Sequence, residues 1–224
     1  MSNYLIVTIC SHSAAIPAIV GLIHFKRFEK VYQPFLIFLL LGWLNEIVSS
    51  ITIYYRGSNA SHSNIYVLAE FLCILMLFRN WGTRKSRFKV YQVISIIVTA
   101  VWLADNVVFH SLSTTNVVYR LCYSLVLVFL SVDQINHVAM MERKNIMKNP
   151  KFVICCGLLL FFMFKALMES FFVFELGLSN YFLERFMMIM IVVNVIVKVI
   201  YTIAILWMKR KQNFLLRYWQ PPVS

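Results

Sequence analysis

The feature that most constrains this chain is a series of apolar blocks, each about 20 residues long, separated by short polar loops. A helix rises about 1.5 Å per residue, so a block of that length crosses a hydrocarbon core of about 30 Å. The blocks at residues 4–24, 34–55, 65–78, 90–109, 117–138, 152–174 and 183–208 predict seven transmembrane helices. A membrane β-barrel would need segments of about 10 residues with alternating polarity, and the sequence has none. Of 224 residues, 61% are hydrophobic and only 13% charged, where a water-soluble domain carries about 25% charged residues. The fold class is therefore all-α: a polytopic membrane protein built as one bundle, with residues 1–224 forming a single domain. Short loops make sequential helices antiparallel neighbours. The first block lacks a basic leader and a small-residue cleavage site, which marks it as a retained span rather than a signal peptide.

The net charge of +12 does not point to nucleic acid, because of where the charges fall. With alternate loops assigned to alternate sides, sixteen Lys and Arg lie on one side, in the first, third and fifth loops and the tail. The other side holds two, Arg56 and Arg185. That imbalance puts the N-terminus outside and the C-terminus inside, as in a bacterial inner (plasma) membrane protein. The tail at 209–219 mixes basic and aromatic residues and is expected to lie along the inner surface, drawn to anionic lipid. Tyr54, Tyr55, Trp81, Tyr91, Trp207, Tyr218 and Trp219 sit near block ends and read as an interfacial aromatic belt. Five cysteines (Cys10, Cys73, Cys122, Cys155, Cys156) all fall in apolar blocks without metal-ligand spacing, and read as structural thiols with no metal.

What the blocks do carry is ionisable side chains, each costing at least about 2.5 kcal/mol to insert alone. Helix 2 contributes Asn45 and Glu46, helix 3 Glu70, helix 4 Asp105 and helix 5 Arg120. Helix 6 contributes Lys165 and Glu169, and helix 7 Asn194 and Lys198, each pair four residues apart and so on one face. Four acids against three bases imply a shared interior network, with Glu46 the expected partner of Lys198 at similar depth. Bonds between membrane helices contribute only about 0.6–2 kcal/mol each, and one or two pairs would merely join helices. Seven charges in so small a bundle point further, to an outward-facing polar pocket or an ion-pair network formed by Glu46, Glu70, Asp105, Arg120, Lys165, Glu169, Asn194 and Lys198.

Two resemblances bear on function. The helix 7 segment from Asn194 to Lys198 resembles the retinal-lysine helix of microbial rhodopsins, in which an aspartate precedes the Schiff-base lysine by four residues. That resemblance implies retinal on Lys198 and a photoreceptor role, with Asn194 replacing a counterion carboxylate. The family's arginine–acid–tryptophan cluster in helix 3 is represented only by Glu70. As a whole, the chain resembles small, domainless seven-helix integral membrane proteins of bacteria whose function is unknown. The residues carrying this are Asn45-Glu46, Glu70-Phe71, Asn194 and the helix 7 ending Ile205-Leu206-Trp207.

The sequence reading is a non-enzymatic transporter or sensor that binds a small solute or ion, without a cofactor. Its partners are the lipid bilayer, the solute and, for a sensor, a protein on the inner face, but no nucleic acid. A membrane-embedded lipid-modifying enzyme is the alternative from another class.

Overall fold

A computed structural model describes residues 10–25, 28–82, 85–109, 112, 114–141 and 146–208. Among them there is no β-strand, and the elements are α1 (Ala15–His24), α2 (Gln33–Arg56), α3 (Ala60–Trp81), α4 (Lys85–Leu103), α5 (Val117–Met141), α6 (Pro150–Val173) and α7 (Asn180–Trp207). Short 3₁₀ turns at Lys30–Tyr32 and Ile146–Lys148 lead into α2 and α6. Six helices are long and apolar enough to cross a membrane. The first apolar helix, Cys10–His24, is shorter. The chain is a multi-pass helical membrane protein. The surface tail anticipated at 209–219 and the start of the first block, at residues 4–9, lie outside the described residues.

Local signals set the helix ends. Pro34 stands in the first turn of α2, where a missing N–H costs nothing. Gly57 ends that helix at φ +70°, a left-handed position favourable to a residue without Cβ. Asn149 caps α6 by accepting the Lys151 N–H at 2.9 Å, and Ser179 caps α7 by accepting the Phe182 N–H at 3.3 Å.

Helix α3 departs from its expected bounds of 65–78, extending to Ala60 and Trp81. Residues 60–64 look like a polar turn in sequence, yet they are helical because Asn64 is used inside. Its Nδ2 donates to the Leu112 and Thr114 carbonyls at 3.2 and 2.7 Å, and its own carbonyl accepts from Trp102 Nε1 at 2.8 Å. At the other end Trp81 is buried against Tyr32 and Phe78. Trp81 and Tyr91 are thus core residues, not members of an aromatic belt. Tyr54 and Tyr55 are exposed. Helix α4 gives way over Ala104–Phe109 to a π-helical turn.

The helices close a ring. α1 packs on α2 and α7, α2 on α3, α3 on α5, α5 on α6, and α6 on α7, while α4 lies outside against α3 and α5. Thr52 beside His62, across the α2–α3 turn, marks an antiparallel pair, as do Phe171–Phe182 and Phe164–Phe186 between α6 and α7. Phe35, Phe71, Phe78, Ile154 and Leu158 fill the spaces between helices, whereas Ile23, Ile96, Phe129 and Leu206 face outward. Phe129, at 71% exposure, is one of many large apolar side chains on the outer surface. Helices apolar on both faces need lipid, not water, around them.

Close approach of α6 and α7 depends on Gly157. A Cβ there would lie 2.5 Å from Tyr201 Cε1. We expect Gly157→Ala to destabilise the protein by about 1–3 kcal/mol through overpacking, read as a lower thermal midpoint in detergent. Gly42→Ala, where the nearest atom is Tyr66 Oη at an ordinary 3.5 Å, serves as the control and should leave the midpoint within a degree or two.

Candidate functional site

A cavity of about 210 Å³ lies inside the ring, lined by α1, α2, α3, α5, α6 and α7 and by no residue of α4. Six of the eight residues singled out from the sequence line it: Glu46, Glu70, Arg120, Lys165, Asn194 and Lys198. Asp105 and Glu169 do not. The cavity runs from mid-bundle towards Ser63 and Arg120, each one turn into its helix, at the end of the bundle carrying the α2–α3 and α4–α5 connections.

Glu70 is a heavily engaged charge. It is 2% exposed, and three donors converge on its carboxylate. Tyr66 Oη reaches Oε1 at 3.0 Å, while Tyr123 Oη and Lys165 Nζ reach Oε2 at 2.8 and 3.1 Å. The Lys165 ammonium also stands over the rings of Tyr123, Phe161 and Phe162, 5.0, 5.4 and 5.7 Å from their centroids. Cation–π attraction strengthens in such desolvated surroundings. One carboxylate therefore ties α3 to α5 and α6, and its charge is fully answered.

Arg120 Nη2 donates to Ser63 Oγ at 2.8 Å and Asn64 Oδ1 at 3.3 Å, joining the first turns of α3 and α5. Asp105 Oδ2 accepts the Tyr119 backbone N–H at 3.3 Å. This is one of the α5 first-turn donors that the helix itself leaves open, and a carboxylate there is favoured by the helix dipole. Asp105 thus holds a helix end, and the π turn that carries it aims it there. Glu169 shares a face with Lys165, but the lysine pairs across the bundle with Glu70.

The expected Glu46–Lys198 ion pair is not formed. Lys198 Nζ donates to the Ser11 carbonyl at 3.0 Å, and among the described residues no carboxylate lies within 4.0 Å of it. That carbonyl also accepts the Ala14 N–H at 3.2 Å in the turn at Ser13–Ala14 just before α1, and its second lone pair meets the lysine. Ser13 Oγ turns back onto the Cys10 carbonyl at 2.6 Å, and Pro17 has no N–H to offer the carbonyl of Ser13. Irregular backbone at membrane depth is tolerated where it borders a cavity. Glu46, on the same cavity, makes no hydrogen bond or ion pair through its carboxylate among the described residues, although it lies within the field of Lys198.

Three further lining residues carry buried polar atoms without a partner: Asn45 Oδ1, Arg120 Nε and Tyr201 Oη. Folded proteins leave few such atoms, and each costs about 1–3 kcal/mol. Tyr66, Tyr123 and Tyr201 had no signal in the sequence, since a tyrosine in an apolar block reads as packing. Tyr201 is 4% exposed and held edge-on by Phe35 and Phe38. Among the described residues no three His, Cys, Asp or Glu side chains are grouped to hold a metal. No protein-family model, curated protein or solved structure matches the chain.

Removing Lys165 while Glu70 stays leaves a buried charge short of its counterion. Lys165→Met should cost about 3–5 kcal/mol, and the double change Glu70→Gln/Lys165→Met should recover more than half of it. A double-mutant cycle on thermal or denaturant midpoints in detergent measures both values.

Proposed function

We propose that this protein spans the membrane seven times, N-terminus outside and C-terminus inside, and binds a small polar solute or ion in the ring cavity from the outer side. The solute is either carried across or reported to a protein partner on the inner face. The observation that supports this reading is the unsatisfied lining. Among the described residues, Glu46 without a partner and Lys198 held by a single carbonyl line one space, and Asn45, Arg120 and Tyr201, which line it too, each carry a buried polar atom left unpaired. A group retained only to join helices would use up its bonding capacity, as Glu70 does, and these do not. The positive-inside imbalance places the Ser63–Arg120 end of the cavity outward, towards a solute supply.

Size favours a small solute. Pockets for drug-sized ligands measure roughly 300–1,000 Å³, and this cavity holds about 210 Å³. A long polyene such as retinal on Lys198, or a lipid tail for a membrane-embedded enzyme, asks for more room than that. A helix interrupted beside a mid-membrane cavity, with a backbone carbonyl turned to a charge, is an arrangement transporters use around their substrate sites.

Accessibility tests the reading without knowledge of the ligand. In a background lacking the native cysteines, Asn194→Cys should react with a membrane-impermeant thiosulfonate added outside intact cells. Val192→Cys on the outward, apolar face of the same helix should not. An unreactive Asn194→Cys in a folded protein overturns an outward-open cavity. Solute flux into proteoliposomes then separates transport from sensing.

A further inference from the structure

We infer that the ligand of this cavity is a small zwitterion of the amino-acid kind, its anionic end on α7 and its cationic end on α2. The inference rests on the solute-binding reading and gives it a chemical class. It follows from subtracting the charges that are already answered. Glu70 and Lys165 pair with each other. Arg120, without an ion pair among the described residues, is held by Ser63 and Asn64 at the Ser63 end of the cavity. That leaves, at mid-bundle, one acid, Glu46, and one base, Lys198, lining the same space without an ion pair.

A lone cation at Glu46 would sit beside the unneutralised Lys198, and a lone anion at Lys198 would sit beside Glu46. A solute carrying one charge of each sign answers both. In a dehydrated site an unbalanced ion is costly, so the difference between these cases is large.

On α2, the carboxylate of Glu46 is an acceptor on the cavity, suited to the N–H groups of an ammonium. On α7, the Lys198 ammonium donates only to Ser11 among the described residues, and its remaining N–H groups can donate to a carboxylate. Asn194, one turn before Lys198 on the same face, lines the cavity with them. A cavity with a carboxylate on α2 and an ammonium on α7 matches a molecule with an ammonium at one end and a carboxylate at the other. The volume of about 210 Å³ lies below the roughly 300–1,000 Å³ of pockets for drug-sized ligands and suits a small solute.

The test uses the purified full-length protein in nanodiscs, with binding followed by calorimetry and by ligand-induced thermal shift. The probes are glycine, alanine, β-alanine and 4-aminobutyrate, against propionate (acid only) and propylamine (amine only). At least one zwitterion should bind about thirtyfold or more tightly than either single-charge probe, the loss that accompanies one unpaired buried charge. Glu46→Gln should weaken the zwitterion about thirtyfold while tightening propionate, which then no longer sits beside a carboxylate. Lys198→Met should weaken it similarly while tightening propylamine, which then no longer sits beside an ammonium. Glu46→Gln alone keeps the test decisive if the lysine variant fails to fold. Propionate or propylamine matching the best zwitterion, no zwitterion bound, or an unchanged affinity in Glu46→Gln each overturns the zwitterion. In those cases a reactive Asn194→Cys still supports a solute cavity, whereas an unreactive one removes the cavity itself.

Discussion

The bundle is organised around one carboxylate. Glu70 is almost wholly buried at the cavity wall, where a charge is tolerated only if its bonding capacity is met. A tyrosine from its own helix, a tyrosine from α5 and a lysine from α6 meet it. Lipid provides no hydrophobic drive for helices to associate, so close packing and such polar contacts must do so. Three helices are thereby fixed in both depth and rotation at one point. The aromatic shell around Lys165 belongs to the same arrangement, because it holds the ammonium on the carboxylate. With this corner closed, the remaining polar groups on α2 and α7 are held apart across a gap rather than collapsing onto one another.

Much of the architecture was legible in the sequence because lipid imposes a coarse rule. Length and hydropathy give spans, and the six long helices fall where the apolar blocks from 34 onward lie. The boundaries slipped where a polar residue is used inside the protein. Ser63 and Asn64 look like loop residues until Arg120 and the α4–α5 connection are there to receive them. The six helices and the membrane setting follow from composition; the rotation of each helix does not.

The candidate site was legible as a set of residues and not as a set of pairs. Counting helical rise gives depth to within about a turn, and at equal depth Glu46 and Lys198 look like partners. Their actual relation depends on which way each helix faces and on what else is near. Lys198 turns to a backbone carbonyl, which no sequence pattern marks as a binding group. Lys165 bypasses Glu169 on its own helix for a carboxylate two helices away. Asp105 is claimed by the open end of α5. Tyr66, Tyr123 and Tyr201 supply hydroxyls to the interior, and an apolar block containing a tyrosine gives no sign of whether its hydroxyl is used.

The contact between Lys198 and the carbonyl of Ser11 has a consequence of its own. A backbone acceptor is the same for every amino acid, so the side chain at position 11 can change without removing the contact. What the contact demands is phase. One residue inserted or deleted between Ser11 and Pro17 would rotate that carbonyl by about 100° around the helix and turn it from the lysine. The first helix is therefore constrained in length and break position more than in composition. Drift in this part of the sequence can be wide in letters while remaining narrow in spacing.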